Sequence, residues 1–231
     1  MKNIFLVDAD DTLLDFHGAS ALAIRTAFEE LGVEWNERFL TVFKQINDGL
    51  WESLERKELT RGELIKIRFP IYLNALGMKD IDGACFNEKY LHALATKPIY
   101  MQGAEDFLKT LQTMGKIYIV TNGTEWIQKS RFDICGLWSY VEKVFISQVA
   151  GADKPSPIFT KYVADNVTDF QRENAIWIGD SLSADIRAAN DANITSIWFN
   201  SHKKQNNGKA VPDYTAKDFT EIVHILKKLN G

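Results

Sequence analysis

Ile4-Phe5-Leu6-Val7-Asp8-Ala9-Asp10-Asp11-Thr12 is an apolar run that ends in a cluster of acids. Residues up to Val7 read as a buried parallel strand, because a strand covered on both faces carries no polar alternation. Asp8 and Asp10 then stand where the chain leaves the sheet, and residues at that spacing start on the same face. Two like charges about 4 Å apart repel by roughly 4 kcal/mol at a surface-like dielectric. A fold accepts that cost where a cation sits between the carboxylates or where one of them is protonated. Packing alone gives no reason for the cluster, so it is the first candidate for chemistry.

Similar runs ending in polar residues recur at 116–121, 143–147, 175–180 and 194–200, after the first at 4–8. Helix-like segments lie between the later ones, and Ala104 to Met114 is one that leads into the second strand. Strands alternating with helices imply right-handed crossovers and an α/β fold with a doubly wound parallel sheet. Ligands in such sheets bind off the carboxyl ends of the strands, where every polar cluster discussed below falls.

Between the first and second strands the pattern changes. Ala21, Ile24, Phe28 and Leu31 fall on one helical face, and Phe39, Phe43, Ile46, Leu50 and Leu54 make a second stripe. Thr60-Arg61-Gly62-Glu63 has the spacing of a capping box opening a third helix. Gly77 is placed to close that helix in a left-handed conformation, and Pro70 inside it should kink or split it. Residues 16–89 are therefore expected to form an all-helical insert, with residues 1–15 and 90–231 making the α/β core. Residues 201–212 are polar and read as a surface loop, and Asp218-Phe219-Thr220-Glu221 caps a last amphipathic helix.

Bulk properties narrow the function. With 231 residues, 45% of them hydrophobic and 25% charged, the chain has room for one α/β domain with a smaller insert. A formal charge of −4 argues against non-specific nucleic-acid binding. The short N-terminal apolar run ends in acids, so no signal peptide is expected, and no stretch reaches the length of a membrane span. Cys85 and Cys135 lack metal spacing and read as free thiols of a reducing cytoplasm.

Four regions contribute polar groups at strand ends. The first gives Asp8, Asp10 and Thr12, and the second gives Thr121-Asn122-Gly123. The third offers Lys154 just before a helix that Ser156 would cap and Pro157 would begin. The fourth, Gly179-Asp180-Ser181-Leu182-Ser183-Ala184-Asp185, adds two more carboxylates. Oxygen-rich sites of this kind suit a hard cation, and Mg²⁺ is the usual choice beside a phosphate.

In this order the four elements resemble the haloacid dehalogenase-like hydrolase superfamily over nearly the whole chain. Asp8-Ala9-Asp10-Asp11-Thr12 matches its Asp-x-Asp-x-Thr motif, Thr121 its second and Lys154 its third. Gly179, Asp180 and Asp185 match its fourth motif. The resemblance implies a Rossmann-like core with a helical cap domain, and it implies roles. Asp8 would be the nucleophile that forms an aspartyl-phosphate. Asp10 would be the general acid for the leaving alkoxide and then the base for water, with its backbone carbonyl on Mg²⁺. Asp8 and Asp180 would complete the metal ligands, and Asp185 would hold the metal site from behind them. Lys154 would offset charge between Asp8 and the phosphoryl oxygens, which Thr121 and the amides around Asn122 and Gly123 would bind. Asp11 and Asp15 are expected to be ordinary, one solvated and one a turn or cap residue.

Departures from the family pattern are mild. Ala9 is smaller than usual, Gln148 stands where many relatives have an acid, and Asn193 replaces a glycine while still tolerating the left-handed turn. The insert position implies a helical lid that selects small substrates. Trp35, Asn47, Trp51, Arg61, Arg68, Phe69 and Tyr72 supply it with aromatic and polar groups, although for Trp51, on or beside the second helical stripe, plain packing is the better reading. The stretches Leu50 to Glu55, Leu59 to Leu64 and Asp8 to Phe16 resemble the bacterial pyrimidine 5′-nucleotidase branch. That resemblance implies a Mg²⁺-dependent phosphomonoesterase acting on nucleoside monophosphates, as a monomer or weak homodimer. Phosphoglycolate or a sugar phosphate would use the same motifs. A 2-haloacid dehalogenase has no need of Asp10 or Asp180, and a phosphomutase would have to keep water from the phospho-enzyme. A phosphoacceptor signalling module shares the residue types, but its acceptor normally lies on a central strand after an acid pair on the first.

Overall fold

Ile4, Phe5, Leu6 and Val7 are all buried and form a central strand of a parallel sheet in the computed structural model, which describes residues 2–56, 58–206, 208 and 210–231. Six strands pair there: β1 (Ile4–Val7), β2 (Lys116–Thr121), β3 (Lys143–Ile146), β4 (Ala175–Gly179), β5 (Thr195–Phe199) and β6 (Tyr214–Ala216). Their order across the sheet is β3-β2-β1-β4-β5-β6, all parallel. The chain winds one way from β1 to β3 and the other way from β4 to β6, so the topological switch lies between β1 and β4.

The helices are α1 (Phe16–Glu30), α2 (Arg38–Glu55), α3 (Arg61–Ala75), α4 (Gly83–Thr96), α5 (Ala104–Met114), α6 (Glu125–Cys135), the short α7 (Ser147–Ala150), α8 (Pro157–Asn166), α9 (Arg187–Ala192) and α10 (Phe219–Asn230). None is long and apolar enough to cross a membrane. Alternate strand residues feed two cores, as period-2 geometry requires. Phe5, Val7, Ile119 and Ile178 pack with α5, α6 and α10, while Leu6, Val120 and Trp177 pack with α8 and α9.

Packing divides the chain into two units, Met1–Phe16 with Pro98–Gly231 and His17–Lys97. The second unit runs past the expected limit at residue 89, because α4 continues unbroken through the buried Tyr90, Ala93, Leu94 and Ala95. Its core is aromatic: Phe28, Phe43, Phe69, Tyr72, Phe86 and Tyr90 are buried, with ring centroids such as Phe28 to Phe86 at 4.7 Å. Phe69 and Tyr72 are thus packing residues, and the Tyr72 hydroxyl donates to the Phe39 carbonyl at 2.9 Å.

Local signals in this unit are met in detail. Thr60 Oγ1 accepts from the Glu63 N–H at 3.3 Å, and Glu63 Oε2 accepts from the Thr60 N–H at 2.8 Å. Gly77 closes α3 with φ +78, and the Met78 N–H returns to the Leu73 carbonyl. Pro70, however, does not split α3, which stays one helix from Arg61 to Ala75. Pro70 is exposed, and so is Lys66, the residue whose carbonyl loses its usual amide partner to the proline. Its ring also packs against Gly83, where a Cβ would stand 2.7 Å from Pro70 Cδ.

Strand limits shift slightly from the sequence reading. Asp8, Ser147 and Asp180 lie just beyond β1, β3 and β4, and Asn193 and Ile194 belong to the left-handed closure of α9 (φ 55 at Asn193). The edge strand β6 was not anticipated. It has three residues, mostly exposed, which is too short for an alternation signal. Ser201, at the start of the expected loop at 201–212, follows β5, while Asn207 and Lys209 in that loop lie outside the described residues.

Candidate active site

β1, β2 and β4 are adjacent, and the residues that follow them converge on one buried lysine. Lys154 Nζ donates to Asp8 Oδ1 at 2.5 Å, to Asp185 Oδ1 at 2.7 Å and to the Val120 carbonyl at 2.8 Å. All three ammonium protons are therefore used. The Asn122 amide fixes the lysine from behind: its Oδ1 accepts from the Lys154 N–H at 2.8 Å and its Nδ2 donates to the Lys154 carbonyl at 3.1 Å. The Asn122 side chain thus holds the lysine's backbone.

Asp185 follows β4 by one helical turn at Leu182–Ile186 and is buried. Trp177 Nε1 donates to its Oδ1 at 3.2 Å, and the Ser181 N–H donates to its Oδ2 at 3.2 Å. Its carboxylate fills the space a Cβ at position 179 would need, which is why β4 ends in glycine. Asp8 is held by the Thr12 hydroxyl, which donates to Oδ2 at 3.4 Å, and by its own N–H on the Ile178 carbonyl at 2.9 Å.

Burial and the neighbouring Asp185 carboxylate push the Asp8 carboxyl well above its ordinary range, and Lys154 only partly offsets them. Burial works against the Lys154 charge, but Asp185 and Asp8 outweigh it and hold the ammonium above its ordinary range. Burial likewise raises Asp180 to about 6, against the pull of Lys204, whose Nζ lies 3.0 Å from Asp180 Oδ2.

Asp8, Asp180 and Asp185 each offer an oxygen within 4.8 Å of the others. Three carboxyl groups face one buried ammonium, and with all three ionised the set stays net negative even with Lys204 at the rim. Asp185 accepts three bonds, from Lys154, Trp177 and Ser181, whereas Asp8 accepts two, one of them a long 3.4 Å bond from Thr12, and Asp180 one from Lys204, so Asp8 and Asp180 keep more acceptor capacity. A small hard dication fits that donor set and its charge.

Asp10 takes no part in this group. Its carboxylate turns to α6, where Arg131 Nη1 donates to Oδ1 at 2.6 Å and Gln128 Nε2 donates to Oδ2 at 3.0 Å. Gln128 Nε2 also donates to Thr121 Oγ1 at 2.8 Å, and its Oε1 accepts from Arg131 Nη1 at 2.8 Å. Gly123 gives Gln128 its room, since a Cβ there would stand 2.6 Å from Gln128 Cγ. Gln148 Oε1 accepts from the Glu125 N–H at 2.8 Å and fixes the start of α6.

The sequence-derived residues thus fall into two linked sets, Asp8, Lys154, Asp180 and Asp185 in one and Asp10 with Thr121 in the other. Asp11 is the turn and cap residue of the pair: it is buried at φ +56, and its Oδ1 accepts from the Phe16 N–H at the start of α1 at 3.1 Å, while Asp15 is half-buried. Gln128, Arg131, Trp177 and Lys204 were not singled out by sequence. The available signal was that Gln128 and Arg131 share the face of α6 that also buries Ile127 and Phe132.

The chain is similar to known proteins over most of its length. A family model described as haloacid dehalogenase-like hydrolase matches residues 2–193. The chain is 35% identical to the HAD-hydrolase YfnB of Bacillus subtilis, covering 96% of this chain and 94% of that protein. The crystal structure of YfnB bound to magnesium superposes with a TM-score of 0.93, covering 97% of this chain and 98% of that one. Identity to the pyrimidine 5′-nucleotidase PynA of Streptococcus pneumoniae is 33%, over 96% and 94% of the two chains. To the pyrimidine 5′-nucleotidase YjjG of Escherichia coli it is 25%, over 96% of each.

Proposed function

The chain belongs to the haloacid dehalogenase-like hydrolase family, and on that footing we propose that it hydrolyses phosphate monoesters through a covalent intermediate on Asp8. The observation that carries this reading is Lys154, fully buried and bonded at once to Asp8 and Asp185 beside Asp180. An ammonium so placed favours the ionised, nucleophilic form of Asp8 against burial and the Asp185 charge, and lies where the oxygens of a phosphoryl group on Asp8 would gather negative charge.

An Asp8 carboxylate oxygen attacks phosphorus, the bond to the ester oxygen breaks, and Asp10 gives that oxygen a proton. Water then attacks the aspartyl-phosphate, Asp10 takes a proton from it, and inorganic phosphate leaves with Asp8 restored. Thr121 and the amides at Asn122 and Gly123 bind the phosphoryl oxygens, and Asp185 holds Lys154 in place. Mg²⁺ on Asp8, Asp180 and the Asp10 carbonyl would neutralise charge on the transferring group.

We assign pyrimidine nucleoside monophosphates as the substrate class, on the strength of full-length similarity to two proteins named pyrimidine 5′-nucleotidase. Such a substrate makes no demand for a basic surface, in keeping with the net charge of −4. A screen of phosphate esters tests the assignment. Expected is a kcat/KM for dUMP, dTMP or UMP at least about tenfold above that for phosphoglycolate and sugar phosphates, roughly 1.4 kcal/mol of discrimination. Equal rates across the panel would remove the nucleotide assignment and leave phosphate-ester hydrolysis.

A further inference from the structure

Asp10 is placed by side chains that neither bind the phosphoryl group nor touch Asp8. Arg131 is 1% exposed, and its Nη1 bridges Asp10 Oδ1 and Gln128 Oε1. Gln128, also 1% exposed, divides its amide protons between Asp10 Oδ2 and Thr121 Oγ1. Each Asp10 oxygen thus has its own donor on α6, and the two donors are bonded to each other. A single ion pair would leave the carboxylate free to rotate about its terminal torsion, which is soft. Two donors on separate oxygens fix that torsion.

Stability gives no account of this arrangement. Nε and Nη2 of Arg131 have no partner among the described residues, so the buried guanidinium is only partly satisfied. An apolar side chain at 131 would pack the same space without that cost. Two other features serve the same pair. Gly123 lacks the Cβ that would strike Gln128, and Gln148 pins the first turn of α6.

We infer that Gln128 and Arg131 are positioning residues that set the orientation of the proton-transfer carboxylate of Asp10 and couple it to Thr121 at the end of β2. The inference rests on the reading of Asp10 as the acid. Thr121 binds phosphoryl oxygens in that reading, so the same amide that aims Asp10 also senses the strand end where phosphate sits. The proton donor and the phosphate cradle are then one hydrogen-bonded unit.

Leaving groups separate this role from mere support of the fold. p-Nitrophenolate departs without a proton, whereas the alkoxide of a nucleoside monophosphate or glycerol phosphate requires one. kcat/KM reports the first irreversible step, in which that group leaves. Gln128→Met keeps the length of the side chain and removes both donors. It should lower kcat/KM for the alkyl esters by about tenfold or more and for p-nitrophenyl phosphate by less than about threefold. Arg131→Lys, which retains the charge but not the fork, should show the same asymmetry. In an Asp10→Asn background, Gln128→Met should cost nothing further.

Equal losses for both leaving groups, or losses that multiply with Asp10→Asn, would overturn the inference. If Arg131→Lys fails to fold, Gln128→Met and its double variant decide alone. Should Asp10→Asn steepen the dependence on leaving group while Gln128→Met does not, only the positioning role falls. Should Asp10→Asn leave that dependence flat, the acid assignment falls and the positioning role with it.

Discussion

Asp180 carries a carboxyl that burial raises to about 6, beside two other acids, and this has a consequence for stability. A raised folded value means that folding takes up a proton between the reference 3.8 and about 6. The group's contribution is then fully present at low pH and lost as pH rises through about 6, by at most about 3 kcal/mol. Asp180→Asn should therefore make the metal-free protein more stable by about 1–3 kcal/mol at pH 7.5, with the two proteins converging near pH 4. The variant should also lose the gain that Mg²⁺ gives the parent. Thermal melting with and without chelator checks this, and a variant less stable at pH 7.5 would contradict it. Residues of this kind were legible in the sequence because acids at strand ends have no packing role to fill. Gln128 and Arg131 were not, since polar residues on a helix ordinarily read as its solvated face and only tertiary contacts bury these two. Which of Asp11 and Asp15 would be the cap was not legible, because the Asp11 carboxylate serves the Phe16 N–H five residues on, beyond the usual Asx spacing.

At the scale of elements, strands carry the site and helices orient it. β1 and β4 end beside the topological switch, which brings Asp8 and Asp180 together although 171 residues lie between them in the chain. α6 contributes through its face, and the turn after β4 through a glycine that leaves room for Asp185. The opposite ends of the strands are close-packed for another reason. A Cβ at Gly115 would overlap the Asn3 backbone where the chain enters β1 and β2. Gly115→Ala should destabilise the fold by about 1–3 kcal/mol through overpacking. Because the proposed site lies at the other ends of these strands, kcat below the melting range should stay near that of the parent. A stability unchanged in urea denaturation would contradict the steric reading. Capping boxes, left-handed closures and buried strands were legible because each is written in a few adjacent residues, as at Thr60 to Glu63. The intact α3 was not, because whether Pro70 breaks a helix depends on which way its freed carbonyl faces.

The molecule as a whole joins an α/β unit that contains every residue of the proposed chemistry to a helical unit with its own aromatic core. Within the α/β unit the proposed chemistry and the charge imbalance at Asp8, Asp180 and Asp185 predict that turnover depends on a divalent cation. Thorough chelation should silence hydrolysis of p-nitrophenyl phosphate and Mg²⁺ should restore it, whereas full activity in chelator would remove the metal from the account. Fold class was legible at this scale because the alternation of strands and helices is a pattern over the whole chain. The end of the helical insert was not, since α4 carries no stop signal before Thr96.

The central claim is a bond from phosphorus to the side chain at position 8. Mass spectrometry of protein quenched in acid during turnover of a phosphate ester with Mg²⁺ addresses it directly. One phosphoryl group should appear on the peptide that contains Asp8 and vanish, together with turnover, in Asp8→Asn. An adduct on another residue, or an Asp8→Asn protein that still hydrolyses the ester at the parent's rate, would contradict it.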